Sequence, residues 1–522
     1  MSLKQQASQG AEVNEKLAAL MTNSNAVRAI ASAVEGTLGP KGLDTMLVDK
    51  FGEVVITNDG VTILTMMEAN HPAARMVINI AKSQQDEIGD GTTTATVMAG
   101  ALVSSGVDQV AKGVPVARVI EGVRTGVRRA LEVMKQQAIP LEDISHPWLK
   151  QVALVAGREH QDIADLVVEA ARLIGKEKLV ERNFKLSDTI ISEEGASNQV
   201  FMGVIINKET MNKQMPRQLR NVKVLVIDDA LEPEVIGDEA LSTESGFARY
   251  LELQSEFRSN VQKMIDLGVG LVLVDRGVDD TAEEILTDAG IMVVQRVLNK
   301  ELCRAAEHTG ARVIKRTSLK KSIADLEKYL GNAGEVLMDE RLEQVWILEG
   351  TGKPMATVLV GAATEEVVGE RERIAKDAAS SVQAAIKGGV VPGGGSLELA
   401  VSREVEKARE NTRGMVAYGI SCVAETLRRP MAQIVANAGF NPLEKLGDVL
   451  AAQAEQEKIS LGIDCDTGDI VDMVEMGVMD PALVKIHALK AAGEIAEAIL
   501  RIDTIIKMKD YKPAGEGFGQ EA

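Results

Sequence analysis

Aromatic residues are scarce in this 522-residue sequence, where tryptophan, tyrosine and phenylalanine together make up 2%. The scarcity removes the stacking platforms on which proteins that bind single-stranded nucleic acid depend. Basic residues are also in deficit, because 58 Lys and Arg stand against 77 Asp and Glu, for a net charge of -19. A surface of this sign repels phosphate backbones and anionic lipid head groups. We therefore expect neither nucleic acid nor membrane partners.

Cysteine is nearly absent as well. Cys303, Cys422 and Cys465 lie far apart and form no C-x-x-C motif, which excludes a disulfide framework and a structural zinc site and fits a reducing compartment. The N-terminal sequence has no basic segment followed by an apolar one, and no apolar run reaches the ~18 residues of a membrane span. We expect a cytoplasmic protein that is neither exported nor membrane-spanning.

Several common catalytic motifs are missing too. The sequence contains no G-x-x-x-x-G-K-[ST] pattern, and no G-x-G-x-x-G follows a strand, so neither standard nucleotide-binding fold is supported. The five histidines are scattered and offer no metal or triad spacing. In the acidic segment 463–470, Gly468 and Asp469 stand in the wrong order for a calcium loop. An acidic surface turn is expected there.

The distribution of apolar residues divides the chain into parts. Its length suits two or three domains. Helical spacing dominates residues 12–140 and returns from residue 365 onward. Between them, short β-branched runs alternate with helical patterns, which is typical of parallel strands in an α/β unit. A mainly α domain interrupted by an inserted α/β domain is therefore predicted. The four runs that predict its strands are 222–227, 270–274, 291–294 and 311–314.

A hairpin is predicted within the first helical region. Residues 45–48 and 54–57 are short apolar runs that flank Asp49-Lys50-Phe51-Gly52, a turn that contains glycine. The second strand ends at Asn58-Asp59-Gly60. The hairpin therefore delivers this polar tripeptide to a defined point.

The most informative motif is Gly89-Asp90-Gly91-Thr92-Thr93-Thr94-Ala95-Thr96, between two helical patterns. Its glycines allow a tight turn, and its free amides and threonine hydroxyls make it an anion cradle. A carboxylate among them would repel bare phosphate, so a divalent cation between Asp90 and phosphate would account for it. The alternative is a helix start capped by Asp or Thr.

Two further glycine-containing segments are ambiguous by themselves. Residues 37–42, Thr-Leu-Gly-Pro-Lys-Gly, end a helix, and taken alone they are better explained by an ordinary Gly-Pro turn than by an anion site. Residues 388–395 contain five glycines in eight positions, which requires either a plain linker or a close ligand approach. Asp377 lies within a helical run and, alone, is best explained as a solvated charge.

Taken together, residues 37–42, Asn58-Asp59-Gly60, residues 89–96 and Val391-Pro392-Gly-Gly-Gly395 resemble the chaperonins, ring-forming ATPases that fold proteins. The resemblance covers essentially the whole chain, in order. The middle segment is similar to the archaeal thermosome and eukaryotic cytosolic branch, the group II type, although some bacteria carry similar chains. Residues 231–268 resemble the helical protrusion that serves that branch as a built-in lid.

The resemblance implies ATP and Mg²⁺ as cofactors, with K⁺ as a candidate further ion, and assigns roles by position. Asp90 would hold the metal. Asp377 would orient and deprotonate the attacking water, with Asp59 assisting. Arg158 stands where close relatives have a lysine that senses the γ-phosphate, and the two side chains differ in reach and donor geometry. Asp480 would contact the ribose, and residues 464–466 would border the adenine. The other implied nucleotide-binding residues are Thr37, Leu38, Gly39, Pro40, Gly60, Gly91, Thr92, Thr93, Thr94 and Gly394.

The expected fold is that of a multidomain chaperonin. A mainly α equatorial ATPase domain would comprise residues 1–143 and 393–522, and a small α/β intermediate domain residues 144–199 and 361–392. An inserted α/β apical domain would span 200–360. Its helical protrusion would expose an apolar stripe of Phe247, Tyr250, Leu251 and Phe257, unless these side chains pack inside the apical core.

The expected function is ATP-driven enclosure of unfolded or partly folded proteins. The expected assembly is a stacked double ring of identical subunits that needs no separate lid co-chaperonin. Two other functions remain open: a holdase or scaffold that does not use ATP, and a small-molecule kinase. The kinase would need an acceptor site that nothing in the middle domain suggests.

Overall fold

The computed structural model describes residues 3–52, 54–237 and 243–505 and divides the chain into two units. Unit 1 combines Met1–Leu141 with Lys387–Ala522, and unit 2 is Glu142–Ile386. One unit therefore draws on both ends of the sequence and is interrupted by the other, the arrangement that the change in composition predicts. The finer division of the inserted part into intermediate and apical domains stays a prediction.

Unit 1 is built mainly from helices. Pro72–Glu87 and Pro442–Glu455 each begin with a proline in the first turn, where its missing N–H costs no hydrogen bond. No helix among the described residues is long and apolar enough to cross a membrane. The helices of unit 1 are α1 (Leu3–Glu35), α2 (Gly60–Met66), α3 (Pro72–Glu87), α4 (Thr92–Ala111), α5 (Val116–Gln137), α14 (Ser396–Glu410), α15 (Val416–Asn437), α16 (Pro442–Glu455) and α17 (Ala482–Leu500).

The core of unit 1 forms where these helices cross closely. Helix α5 meets α15 at two buried glycines, Gly122 and Gly419. A Cβ on Gly122 would overlap the carbonyl oxygen of Val416 and lie 2.6 Å from the Cα of Gly419. Glycine in a helix costs about 1 kcal/mol relative to alanine. The cost is accepted here because the two backbones are in direct contact.

In the part of unit 1 that the structure describes, three two-stranded sheets accompany the helices. The predicted hairpin is confirmed, because β1 (Thr45–Val48) pairs antiparallel with β2 (Val54–Thr57). Several of its apolar side chains are exposed, most of all Phe51. The other two sheets are also antiparallel. They are β11 (Val390–Pro392) with β14 (Met479–Pro481), and β12 (Leu461–Ile463) with β13 (Ile470–Asp472).

Unit 2 is organised around an eight-stranded mixed sheet, with the strand order β3-β10-β4-β9-β8-β5-β6-β7. At one end, β5, β6 and β7 are parallel, and at the other β10 is parallel to β3, while the pairings between are antiparallel. The strands are β3 (Ile190–Glu194), β4 (Gln199–Ile206), β5 (Gln218–Ile227), β6 (Val269–Val274), β7 (Met292–Val294), β8 (Gly331–Asp339), β9 (Gln344–Gly350) and β10 (Ala356–Ala362).

Several helices of unit 2 pack against this sheet. Helix α13 of this unit continues two residues past Ile386 into unit 1. Short 3₁₀ turns occupy Leu186–Thr189, Arg316–Lys320 and Glu327–Tyr329. The helices are α6 (Pro147–Ala156), α7 (Gln161–Ile174), α8 (Lys176–Leu179), α9 (Glu244–Asp266), α10 (Asp280–Asp288), α11 (Asn299–Thr309), α12 (Ile323–Leu326) and α13 (Glu365–Gly388).

One prediction for this unit needs correction, and one alternative that the sequence left open is settled. The fourth expected strand, residues 311–314, forms only a single bridge from Ile314 to Ile227. The expected apolar stripe of α9 also ends early, because Phe257 packs in the core that Val261 and Met264 share. The other three members of the stripe remain exposed near the start of the helix. Residues 238–242 of the predicted protrusion lie outside the described residues. The exposed members are Phe247, Tyr250 and Leu251.

Candidate functional site

The first turn of α4 is open to an anion. Gly91 is its N-cap residue, with φ +78°, and glycine has no side chain that could cap the helix. Backbone amides at an uncapped helix start point outward and carry positive partial charge. A Cβ on Gly91 would overlap Cγ1 of Val484, so packing also requires glycine. The N-cap position is therefore occupied by glycine, and not by Asp or Thr as in the alternative.

Gly60 brings the end of the hairpin against this helix start. A Cβ on Gly60 would overlap the Oγ1 of Thr93 and lie 3.1 Å from the Oγ1 of Thr92 and from the amide nitrogen of Thr93. Next to it, Asn58 has a buried Oδ1 with no hydrogen-bond partner among the described residues. The two motifs that the sequence separates by almost thirty positions thus form one polar surface.

Asp59 has a structural role that the sequence analysis missed. It is the N-cap of α2, and its Oδ2 accepts hydrogen bonds from the amide of Thr62 at 3.0 Å and from the Thr62 hydroxyl at 2.6 Å. An aspartate before a helix start with a hydroxyl residue three positions later is a recognisable capping signal. Its expected assistance in catalysis stays a prediction.

The turn after α1 is held in place by a residue from a distant helix. Asn437 donates from Nδ2 to the carbonyl oxygens of Glu35 at 2.9 Å and Leu38 at 2.8 Å. Gly39 has φ +89°, in the left-handed region that favours glycine. The hydroxyl of Thr37 donates back to the carbonyl of Val34. The turn therefore has a fixed shape, unlike a frayed helix end.

The loop that carries Asp90 is anchored by a buried carboxamide. Gln84 is fully buried, and its Nε2 donates to the carbonyl oxygens of Asp90 at 2.8 Å and Val484 at 3.2 Å. Its Oε1 lies 2.6 Å from Nδ1 of His487. Because Nε2 serves two acceptors, Oε1 must be the acceptor for His487. The carboxylate of Asp90 in turn accepts a hydrogen bond from the amide of Gly91.

The second glycine turn lies beside Asp480. Val391 pairs with Asp480 across the β11–β14 sheet, and a Cβ on Gly393 would lie 3.1 Å from Oδ1 of Asp480. Gly394 has φ +62°, so the turn bends where the sequence predicts close approach of a ligand. Asp480 also forms an ion pair with buried Lys485. Gly394 and Asp480, both predicted to bind nucleotide, therefore lie in neighbouring parts of unit 1.

The expected adenine border lies in a turn that is joined to the turn after α1. Lys41 forms an ion pair with Asp466, and both side chains are substantially exposed. Between the two acidic neighbours Asp464 and Asp466, burial and then their charges raise the pKa of the Cys465 thiol. Cys465 is therefore a neutral thiol at neutral pH. Within unit 1, the ion pair links two of the predicted nucleotide segments.

In unit 2, Arg158 and Asp377 lie close together. One guanidinium nitrogen of Arg158 bonds Glu370, and the other lies 4.0 Å from Oδ2 of Asp377. Glu370 and Asp377 are seven residues apart on α13, so they share one helix face. Arg158 and Glu159 both have positive φ, 52° and 64°. This backbone is uncommon for non-glycine residues and is often found at functional sites.

A magnesium site centred on Asp90 fits these surroundings only with help from a ligand. Among the described residues, no group of three or more His, Cys, Asp or Glu side chains is arranged to hold a metal ion. Protein-bound Mg²⁺ commonly takes one or two carboxylates and completes its coordination with water and substrate phosphates. Asp90 beside an open helix start satisfies that requirement, so the residues present fit the ion together with a phosphate chain.

The sequence model of the TCP-1/cpn60 chaperonin family matches residues 30–510, so the chain belongs to this family. The thermosome subunit beta of Archaeoglobus fulgidus is 35% identical over 95% of this chain and 93% of its own length. A thermosome subunit of Pyrococcus horikoshii is 35% identical over 96% and 93%, respectively. The prediction of a thermosome-like chaperonin is confirmed.

The same family is found among solved structures. A crystal structure described as a group III chaperonin in the open state has 48% sequence identity and a TM-score of 0.86. The match covers 95% of this chain and 100% of that one. The predicted multidomain chaperonin fold is therefore confirmed.

Proposed function

We propose that this chain is the ATP-hydrolysing subunit of a ring chaperonin that encloses unfolded proteins and assists their folding. The observation that carries the proposal is the contact between Gly60 and the start of α4 at Thr92 and Thr93, where the N-cap residue is glycine. Amides and hydroxyls converge there, with Asp90 beside them. An anion with an accompanying cation suits this surface, and family membership supports the triphosphate of ATP.

In this proposal the two polar turns of unit 1 hold different parts of the nucleotide. Gly91, Thr92 and Thr93 bind the β- and γ-phosphates, and Thr37–Pro40 bind the α- and β-phosphates. Gly60 and Thr94 also contact the nucleotide. Asp90 is the protein ligand of Mg²⁺, which supplies charge that neutralises the phosphates. Gly394 approaches the nucleotide, and Asp480 accepts a hydrogen bond from the ribose. Gln84 and Asn437 keep two of these loops in place.

Hydrolysis is proposed to depend on Asp377. Its carboxylate orients a water molecule and takes its proton, while the water oxygen bonds to the γ-phosphorus and the bond to the ADP oxygen breaks. Asp59 assists from its capping position. Arg158 stabilises charge on the γ-phosphate in place of the lysine of close relatives. The contact of Arg158 with Glu370 and its closeness to Asp377 support such a shared task.

The partners we propose are identical subunits and non-native proteins in the cytoplasm, with neither nucleic acid nor membrane. The exposed apolar hairpin β1–β2 supports subunit contacts, because a two-stranded ribbon with Met46, Phe51 and Ile56 in water is marginal alone. Exposed Phe247 and Leu251 on α9 support contact with clients or neighbouring lids. Closure of a stacked double ring by residues 231–268, without a co-chaperonin, completes the proposal.

Two substitutions test the division of labour. Asp377→Ala should bind Mg-ATP but scarcely hydrolyse it, because activation of water affects the barrier and not ground-state binding. Asp90→Ala should instead weaken nucleotide binding and shift its Mg²⁺ dependence. Calorimetric binding and single-turnover phosphate release measure the two effects. Turnover near that of the parent in Asp377→Ala would remove the proposed base.

The holdase and kinase alternatives predict different products. A holdase on this fold would suppress client aggregation equally well without ATP and would release no phosphate. A kinase would transfer the γ-phosphate to an added acceptor instead of releasing it. We expect inorganic phosphate from the purified chain with no phosphorylated small molecule, and the presence of Asp90 and Asp377 favours this outcome over a holdase.

A further inference from the structure

Lys485 is a buried charge that none of the roles above uses. It lies in the first turn of α17, its side chain is 7% exposed, and its Nζ is 2.6 Å from Oε1 of Glu398 and 2.9 Å from Oδ2 of Asp480. A cation at the start of a helix is opposed by the helix dipole. The stability of α17 therefore does not explain a lysine at this position.

The two carboxylates keep Lys485 charged. Burial alone would lower the pKa of its ammonium group, but the charges of Asp480 and Glu398 outweigh this and raise the pKa above its usual value. Glu398 is the innermost member, with 1% exposure, and its second oxygen has no hydrogen-bond partner among the described residues. The ammonium is thus held between α14 and the β14–α17 junction.

Asp480 is the only member of this triad that reaches the surface, since 24% of its side chain is exposed. Its Oδ2 is bound to Lys485, and its Oδ1 faces Gly393 at the start of the glycine turn. The ion pair therefore fixes which oxygen points inward. A carboxylate held in an ion pair accepts hydrogen bonds and donates none.

We propose that Lys485 is a positioning residue for sugar recognition. By orienting Asp480, Lys485 lets the carboxylate accept a hydrogen bond from a ribose hydroxyl of the nucleotide, and so selects ribonucleotides over deoxyribonucleotides. A buried acceptor built for a hydroxyl rejects an analogue that lacks it, because the acceptor is then left unsatisfied. This inference rests on the proposed binding of ATP to unit 1.

The test measures sugar discrimination and not activity. The full chain is titrated calorimetrically with Mg²⁺ and ATP, 2′-deoxy-ATP or 3′-deoxy-ATP. The parent should bind at least one deoxy analogue about tenfold more weakly or worse, as expected for loss of a hydrogen bond to a charged group. A purely structural salt bridge would affect the melting temperature and leave this ratio unchanged.

The variants separate position from charge. Lys485→Met alone would leave two carboxylates without their cation, which is strongly destabilising, so it is combined with Glu398→Gln. This double variant should fold, as judged by circular dichroism. Its preference for ATP over the deoxy analogue, expressed as the ratio of the two Kd values, should fall below about threefold. Glu398→Gln alone retains the Lys485–Asp480 pair and should keep the parent ratio. Lys490→Met, on the same helix with a 61% exposed side chain, should also keep it.

The outcomes of these titrations distinguish the role of Lys485 from sugar recognition and from ATP binding itself. If the folded double variant still binds the deoxy analogue tenfold more weakly than ATP, the proposed role of Lys485 is wrong. If that variant does not fold, Lys485→Gln with Glu398→Gln replaces it, and the same outcome counts against the proposal. A parent that binds all three nucleotides equally would overturn sugar recognition while leaving ATP binding intact. A parent that binds none of them would refute the proposed function itself.

Discussion

Replacing Gly60 by alanine should damage nucleotide binding more than it damages the fold. The added Cβ would overlap the Oγ1 of Thr93 and lie 3.1 Å from the amide nitrogen of the same residue. The hydroxyl can rotate away, but the amide belongs to the first turn of α4. That turn must shift by a few tenths of an ångström, and its amides are the proposed donors to phosphate.

The two effects differ in size. Alanine is favoured over glycine in a helix by about 1 kcal/mol, and overpacking costs about 1 to 3 kcal/mol, so the net loss of unfolding free energy should be about 0 to 2 kcal/mol. Loss of one hydrogen bond to a charged phosphate costs about 1.5 to 3 kcal/mol, which weakens affinity by about 10- to 100-fold. Binding should therefore respond more strongly than stability.

Calorimetric titration with Mg-ATP and thermal unfolding without nucleotide measure the two quantities. Gly447→Ala is the matched control, because Gly447 lies in helix α16 with nothing within 4 Å of its added Cβ. The control should keep its affinity and gain up to about 1 kcal/mol of stability. Undiminished affinity in a folded Gly60→Ala protein would refute the assignment of this surface to phosphate.

Three other predictions concern the rest of the chain. Burial lowers the pKa of His308, so below about pH 6.5 the unfolded chain binds a proton that the folded chain does not bind. The free energy of unfolding should therefore fall as the pH is lowered. Melting curves at several pH values should show that His308→Gln removes up to about 1.4 kcal/mol per pH unit of this dependence. Phe51→Ser should prevent subunit assembly, as measured by light scattering. It should change the unfolding free energy of the subunit by less than about 0.5 kcal/mol, because the side chain is exposed. Intact assemblies would contradict the proposed hairpin contact. The double variant Phe247→Ser, Leu251→Ser should abolish protease protection of a trapped client while keeping its stability, because both side chains are exposed. Phe257→Ser should instead unfold part of unit 2, because it removes a core side chain. Equal protection by the double variant and the parent would refute the lid.

Local patterns predicted the parts of the fold that local rules control. The hairpin at residues 45–57 follows from two short apolar runs and a glycine turn, and β5, β6 and β7 follow from continuous β-branched runs that are buried on both faces. Strands such as β8 were missed because they are partly exposed and pair antiparallel with distant segments. Residues 311–314 have strand composition but find only one partner.

The candidate site divides in the same way. Its glycines are visible in the sequence because positive φ and close approach demand them at Gly39, Gly91 and Gly394. Gln84 and Asn437 were not predictable, since each acts through carbonyl groups brought near by folding. Asp59 differs from both, because its capping of α2 follows a local rule that the sequence alone shows: aspartate is a preferred N-cap residue.

The glycine crossing of α5 and α15 has a consequence for how this sequence can change over evolution. A Cβ at Gly419 would overlap the carbonyl oxygen of Val119, just as one at Gly122 would overlap that of Val416. Neither position can be rescued by a smaller neighbour, because no residue is smaller than the glycine already opposite. We therefore expect neither glycine to be replaced by a single substitution, and we expect the helices of the early and late parts of unit 1 to evolve together at this crossing.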